Sequence, residues 1–141
     1  MAQRSDWLPS LKDLDGVRVV VEEPVPEPFA RDPLRARVEQ QLRAARIRVL
    51  GMGDFPTGDP HLRISLTAAG RGGLVACDLQ VDFVQIVFMR RNPAVTFNRA
   101  QTWKADARIV VTESAQLADV AHEELERQVA QFIADYRTAN A

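Results

Sequence analysis

Cysteine is nearly absent: Cys77 is the one thiol in 141 residues. A lone cysteine closes no internal disulfide and makes no cysteine-based metal site by itself. Between Ala76 and Asp78, in a strand-like run, it is expected to be a small buried thiol. Histidine is scarce too, with only His61 and His122. No Gly-x-Ser-x-Gly elbow occurs, so no nucleophile–base arrangement can be read. Enzyme activity is therefore disfavoured, and the sequence assigns no cofactor and no metal. No stretch of about 18 apolar residues exists, so no transmembrane segment is expected. An apolar leader is missing as well: Met1-Ala2-Gln3-Arg4-Ser5-Asp6 is polar, and no apolar core follows it. The expected location is periplasmic if an export signal has been removed, and cytoplasmic otherwise.

Lysine is also rare. Of 18 basic residues, only Lys12 and Lys104 are lysines. The arginines are scattered among Asp and Glu, as on a solvated surface. The net charge is -1 and the pI about 6.1. No global basicity draws the chain to nucleic acid or to an anionic membrane.

What is present fits one globular domain. Hydrophobic residues make up 46% and charged residues 26%, which are ordinary proportions. The length leaves room for one well-buried core. Residues 1–16 read as a lead-in segment, where Trp7, Leu8, Leu11 and Leu14 can pack on the body. Residues 17–141 read as a single α+β domain. Val17 to Glu22 is a β-branched run and predicts the first strand. Pro24, Pro26 and Pro28 stop it, because prolines cannot sit in a central strand. Asp32 as N-cap and Pro33 as first helical residue open a helix. Leu34, Val38, Leu42 and Ala45 form its apolar stripe. Ile47 to Leu50 predicts a second strand, parallel to the first. Leu62, Ile64, Leu66 and Ala68 alternate with polar residues and predict a third.

After the glycine-rich turn Ala69 to Gly73, a long fourth strand runs from about Leu74 to Met89. Val75, Cys77, Leu79, Val81 and Phe83 share one face; Asp78, Gln80 and Asp82 share the other. The phase then changes, and Val84, Ile86 and Phe88 fall on the aspartate face. A β-bulge near Phe83-Val84 would restore one buried face; otherwise both faces of the second half are covered. Past Arg90-Arg91-Asn92-Pro93, a fifth strand from about Ala94 to Thr112 completes a long antiparallel hairpin. It can break near Lys104-Ala105-Asp106. Its Val95, Phe97 and Trp103 share a parity with Ala107, Ile109 and Val111. Ser114 can cap a last helix from Ala115 to about Thr138, roughly 36 Å long. Its apolar face, Leu117 to Tyr136, is worth roughly 1.5–3 kcal/mol per large buried side chain. The fold class is α+β: a mixed β-sheet of about five strands, order β-α-β-β-β-β-α, with two helices packed on one face. The other face is then polar or covers a partner.

Few residues suggest chemistry. Gly51 to Gly58 follows a strand and is glycine-rich, but a phosphate cradle must lead into a helix N-terminus. Here Asp59-Pro60-His61 and a strand follow, so a surface connector is expected. Asp54, Asp59 and His61 could collect a divalent metal. Their spacing matches no specific site, and Asp beside Gly and Pro is ordinary turn chemistry. His122 reads as a solvated helix residue. Asp78 and Asp82 point the same way, roughly 13 Å apart, too far for an acid/base pair. Arg90, Arg91 and Arg99 with Asn92, Phe97 and Trp103 could form a basic-aromatic surface. Such charges at a hairpin tip usually serve solubility, and no nucleic acid is expected. Asp78, Gln80, Asp82, Arg90, Arg91 and Arg99 together form a candidate interaction surface. The long hairpin also offers an edge for a protein partner or for self-association.

Four stretches carry a resemblance. They are Leu14-Asp15-Gly16-Val17-Arg18-Val19-Val20-Val21-Glu22, then Val38-Glu39-Gln40-Gln41-Leu42-Arg43-Ala44-Ala45-Arg46-Ile47-Arg48-Val49, then Thr102-Trp103 with the ending Phe132 to Asn140. The chain resembles a group of small bacterial proteins without assigned function, many of which carry export signals. That group tends to have Gly where this chain has Arg46, so the first helix lacks its usual C-terminal glycine. The order of elements is also loosely similar, at fold level, to the amino-terminal domain of TolB. The resemblance implies an envelope location and no activity. The expected function is a non-enzymatic binding or assembly module of the bacterial cell envelope. The alternative is a small-ligand or metal-binding domain, or a cryptic hydrolase, using the Gly51–His61 loop.

Overall fold

A five-stranded sheet carries the computed structural model, which describes residues 4–141. β1 (Arg18–Val21), β2 (His61–Arg71), β3 (Leu74–Met89) and β4 (Asn92–Lys104) lie in that order, and β5 (Ile109–Glu113) pairs with β3. β1 and β2 are parallel; the other pairs are antiparallel. α1 (Arg31–Ala44) and α2 (Leu117–Ala139) pack on one face. Leu34, Val38 and Leu42 of α1 meet Leu125, Val129 and Phe132 of α2 in one core with Val19, Ile64, Leu79, Val81 and Phe83. Cys77 belongs to this core, and burial pushes its thiol pKa up. A 3-10 segment, Arg4–Leu11, continues the cover onto β4: Leu11 is fully buried, and the Ser10 hydroxyl donates to the Thr102 carbonyl (3.0 Å).

The order β-α-β-β-β-β-α is the expected one, but the strands divide differently. Ile47–Leu50 is a single parallel bridge rather than a strand, joining Val49 to Val17. The Val17 N–H donates to the Arg48 carbonyl (2.8 Å), and the Leu50 N–H to the Val17 carbonyl (2.9 Å). Gly16 permits this approach, since a Cβ there would lie 2.8 Å from Leu50. Asp54 then turns the chain away by accepting from the Gly51 N–H (2.8 Å). The expected fifth strand, conversely, is two strands. β4 ends at Lys104, and the Ala105 N–H donates to the Val81 carbonyl (2.9 Å) before β5 begins. This step reverses the phase read from the sequence. Val110 faces the core opposite Cys77, while Ile109 and Val111 lie exposed on the sheet's open face.

Neither helix uses its expected cap. α1 begins at Arg31 behind Ala30, without a side-chain cap. Asp32 instead pairs with Arg35 (3.4 Å) within the first turn. Pro33 sits third, where its missing N–H costs nothing. α2 begins at Leu117 after a 3-10 turn, and the Ser114 hydroxyl donates to the Gly73 carbonyl (3.1 Å).

The end of α1 explains Arg46. Its φ of 63° is left-handed. The Ile47 N–H donates to the Leu42 carbonyl (3.0 Å) and the Arg46 N–H to the Arg43 carbonyl (2.9 Å). That pair of bonds is the Schellman pattern, whose left-handed position favours glycine. A side chain there costs about 1–2 kcal/mol, and glycine returns part of that as chain entropy. Arg46→Gly is expected to stabilise the fold by about 0.5–1 kcal/mol, read as a higher urea midpoint. An unchanged or lower midpoint would refute the strain.

Candidate interaction surface

The sheet is longer than its helical cover. A strand of β3's 16 residues spans about 50 Å, and a helix of α2's 23 residues about 34 Å. α2 packs over the middle of β3 through Gln128. The 3-10 segment extends the cover to Gln85, whose side chain donates to the Ser10 carbonyl (3.2 Å) and the Thr102 hydroxyl (2.8 Å). Beyond Gln85 the β3–β4 hairpin projects with exposed residues on both faces. Ile86 is 41% exposed, Phe88 65%, Val95 38% and Phe97 52%. Ile86 and Phe88 lie on the aspartate face; Val95 and Phe97, the latter opposite Val87, lie on the helix face.

The irregularity expected at Phe83-Val84 is present, but its extra residue is Thr102 on β4. β3 keeps its alternation against β2, with His61 opposite Val84. The bulge therefore does not return Ile86 and Phe88 to a buried face, and both stay exposed.

A second segment reaches the same end. The Ile86 N–H donates to the Gly58 carbonyl (2.7 Å), so the loop before β2 lies beside the hairpin. Earlier in that loop Met52, 92% exposed, lies beside β1 and the first turns of α1, and Phe55 is 90% exposed. The loop is braced rather than slack. Asp54 pairs with Arg48 (3.1 Å) and holds the Gly51 N–H, while Arg18 donates to the Asp54 carbonyl (2.5 Å). The Asp54 carboxylate is thus engaged in the turn. Asp59 takes a left-handed φ of 43°, and its carbonyl lies 3.1 Å from the Nδ1 of the buried His61. Among the described residues no three metal-ligating side chains gather, so Asp54, Asp59 and His61 do not form the expected cluster. A shallow cleft of about 560 Å³ lies between loop and sheet, lined by Arg18, Asp59, His61, Asn98 and Arg99. Its cations are held by Asp54 and Glu22, although the Arg18 Nε is buried without a partner.

The open face of the sheet holds a charge network. Asp82 is only 2% exposed and accepts from Arg63 Nε (2.9 Å), Arg63 Nη2 (2.5 Å) and Gln101 Nε2 (2.7 Å). The hydrogen bond to Asp82 raises the Arg63 pKa. Arg99 pairs with Glu22 (2.8 Å), and Glu22 lies 4.0 Å from Arg63. The six sequence candidates therefore separate. Asp78, Arg90 and Arg91 are exposed, the last two at the hairpin turn. Arg99 is exposed but paired. Gln80 is half-buried and donates to the Val81 carbonyl (2.9 Å). Asp82 is an internal member of the network, not a surface group. Trp103 leaves the basic-aromatic surface altogether: it is buried, and its indole donates to Asp135 (2.8 Å). His122 is half-buried edge-on to Phe29 rather than solvated, and burial lowers its pKa.

Sequence reasoning missed the polar residues inside α2. Glu124, Gln128 and Asp135 are all buried. The signal was spacing, since Gln128 falls between Leu125 and Phe132 on the apolar stripe. Arg127 donates to Glu124 (2.9 Å), and this bond, ahead of burial, holds the Glu124 carboxyl below the usual range. Met52 and Phe55 were also missed, although apolar residues in a Gly- and Pro-rich loop are a readable anomaly.

No family model matches the chain, and no curated protein matches it. Among solved structures the chain is similar to a minor lipoprotein from Acinetobacter baumannii, at 14% identity and a TM-score of 0.36, over 83% of this chain and 89% of that one.

Proposed function

We propose that the protein is a non-enzymatic binding or assembly module of the bacterial cell envelope, docking through the end of the sheet where the β3–β4 hairpin projects. One observation carries this reading: the projecting hairpin exposes Ile86, Phe88, Val95 and Phe97 together. Exposed apolar residues scattered singly need no explanation, but a cluster marks a contact surface. The envelope location rests on the resemblance to a group rich in export signals.

The test is the double variant Phe88→Ser/Phe97→Ser, which touches no buried residue. The tagged wild-type protein is expected to be retained by envelope membranes or by detergent-solubilised envelope extract. The variant is expected to lose at least 90% of that retention with an unchanged melting curve, roughly the loss of two aromatic anchors. Equal retention of both proteins, or a wild type that binds neither fraction and stays monomeric when concentrated, would refute docking at this end.

A further inference from the structure

Resting on that docking end, we infer that its occupant is an anionic lipid surface, which the hairpin enters to interfacial depth. Three observations converge. The first is that both hairpin faces are apolar and exposed, with Ile86 and Phe88 on one and Val95 and Phe97 on the other. A protein groove or an added sheet layer covers one face of a hairpin. The interfacial region of a bilayer surrounds it. Strand addition along β4 is blunted by Pro93 and by three irregularities in its pairing with β3.

The second observation is charge. Residues 84–104 contain Arg90, Arg91, Arg99 and Lys104 and no Asp or Glu. The chain's net charge is nonetheless -1, so the rest of it carries the excess acid. Within the hairpin Arg99 is paired with Glu22, so the positive charge at its projecting end is that of Arg90 and Arg91, set on an acidic body. An anionic surface attracts the one and repels the other, which orients the molecule hairpin-first. Arginine suits phosphate, because its planar fork donates two bonds at once. Arg90 and Arg91 lie at the turn, where long stems let their heads reach back to the phosphates.

The third observation is depth. From Ile86 to the turn the hairpin extends about 10–13 Å, close to the roughly 5–10 Å of interfacial burial. The braced loop meets the hairpin at Gly58, whose carbonyl accepts from the Ile86 N–H.

Vesicle flotation tests the inference, using phosphatidylcholine alone and phosphatidylcholine with about 30% phosphatidylglycerol. The wild-type chain is expected to float with the anionic vesicles and not the neutral ones. Raising salt from about 0.05 to about 0.5 M is expected to weaken binding at least tenfold. Arg90→Glu/Arg91→Glu and Phe88→Ser/Phe97→Ser are each expected to weaken it at least tenfold, with melting curves as in wild type. Failure to float, equal flotation with both vesicle types, or wild-type binding by both variants would overturn the lipid assignment. If vesicles are not bound but the Phe88/Phe97 variant still loses a solubilised envelope protein, the docking end stands and the lipid falls. Dimerisation abolished by the same variant, without vesicle binding, would assign the end to a second copy of the chain. If the hairpin variants change none of these readouts, both readings fall together.

Discussion

Gln128→Leu is expected to cost about 3 kcal/mol of stability and to lower the melting temperature by about 10 °C. The reason lies in a gap beside β3. β5 pairs with β3 from Leu74 to Asp78, and β4 pairs with it from Asp82 onward. Across the interval between them no strand runs alongside that edge. Gln128 fills part of the gap. Its Oε1 accepts from the Val81 N–H (2.8 Å), and its Nε2 donates to the Leu79 carbonyl (2.7 Å). The side chain is fully buried, so water cannot easily replace it. Leucine fills a similar volume and pairs with neither group. Each buried backbone group left unpaired costs about 1–3 kcal/mol. Two such losses are a large share of a total near 5–15 kcal/mol. Urea unfolding measures the cost, and hydrogen exchange locates it as lost protection at the Val81 amide. A variant with wild-type stability and a protected Val81 amide would show that Gln128 does not act as the missing strand.

That gap also explains which parts of the fold were legible. The alternation of Cys77, Leu79, Val81 and Phe83 and the stripe from Leu117 to Phe132 are local patterns, and each is buried as expected. The step between β4 and β5 is not local. Ala105 leaves the strand because it finds the Val81 carbonyl, a partner 24 residues earlier in the chain. Parity cannot be carried across such a step, so Ile109 and Val111, which share the parity of Trp103 in the sequence, lie on the opposite face from it. Trp103 was misread for a similar reason, since its indole partner, Asp135, lies on the last helix. The caps failed because Ser114 and Asp32 had better partners in Gly73 and Arg35. The docking end was half legible. Arg90, Arg91 and Phe97 were singled out, but the phase change after Phe83 was expected to lead back into a core. Whether Val95 and Phe97 are covered depends on how far α2 and the 3-10 segment reach along the hairpin; Ile86 and Phe88 lie on the face opposite those elements, and no residue near them records either fact.

Arg63→Ala is expected to cost about 3–5 kcal/mol at pH 7, more than Asp82→Ala. The asymmetry follows from burial. Asp82 is 2% exposed, and without Arg63 its carboxylate keeps only the Gln101 amide among these partners. An ionised group left in that state is costly. Arg63 has a side chain 24% exposed and lies 4.0 Å from Glu22. Without Asp82 its guanidinium can turn toward water, so about 1–3 kcal/mol is expected. The wild-type chain should lose stability in acid, because Glu124 has a depressed folded pKa. That contribution is present above the ordinary glutamate pKa and lost as pH falls through the folded value. Urea midpoints of both variants at pH 7 decide the matter. Equal costs for Arg63→Ala and Asp82→Ala would mean that the carboxylate is not held in the buried, ion-paired state described. The outcome bears on the docking end as well, since the Arg63–Asp82 pair adjoins the Glu22–Arg99 bridge that ties β4 to the residue following β1 at the foot of the projecting hairpin.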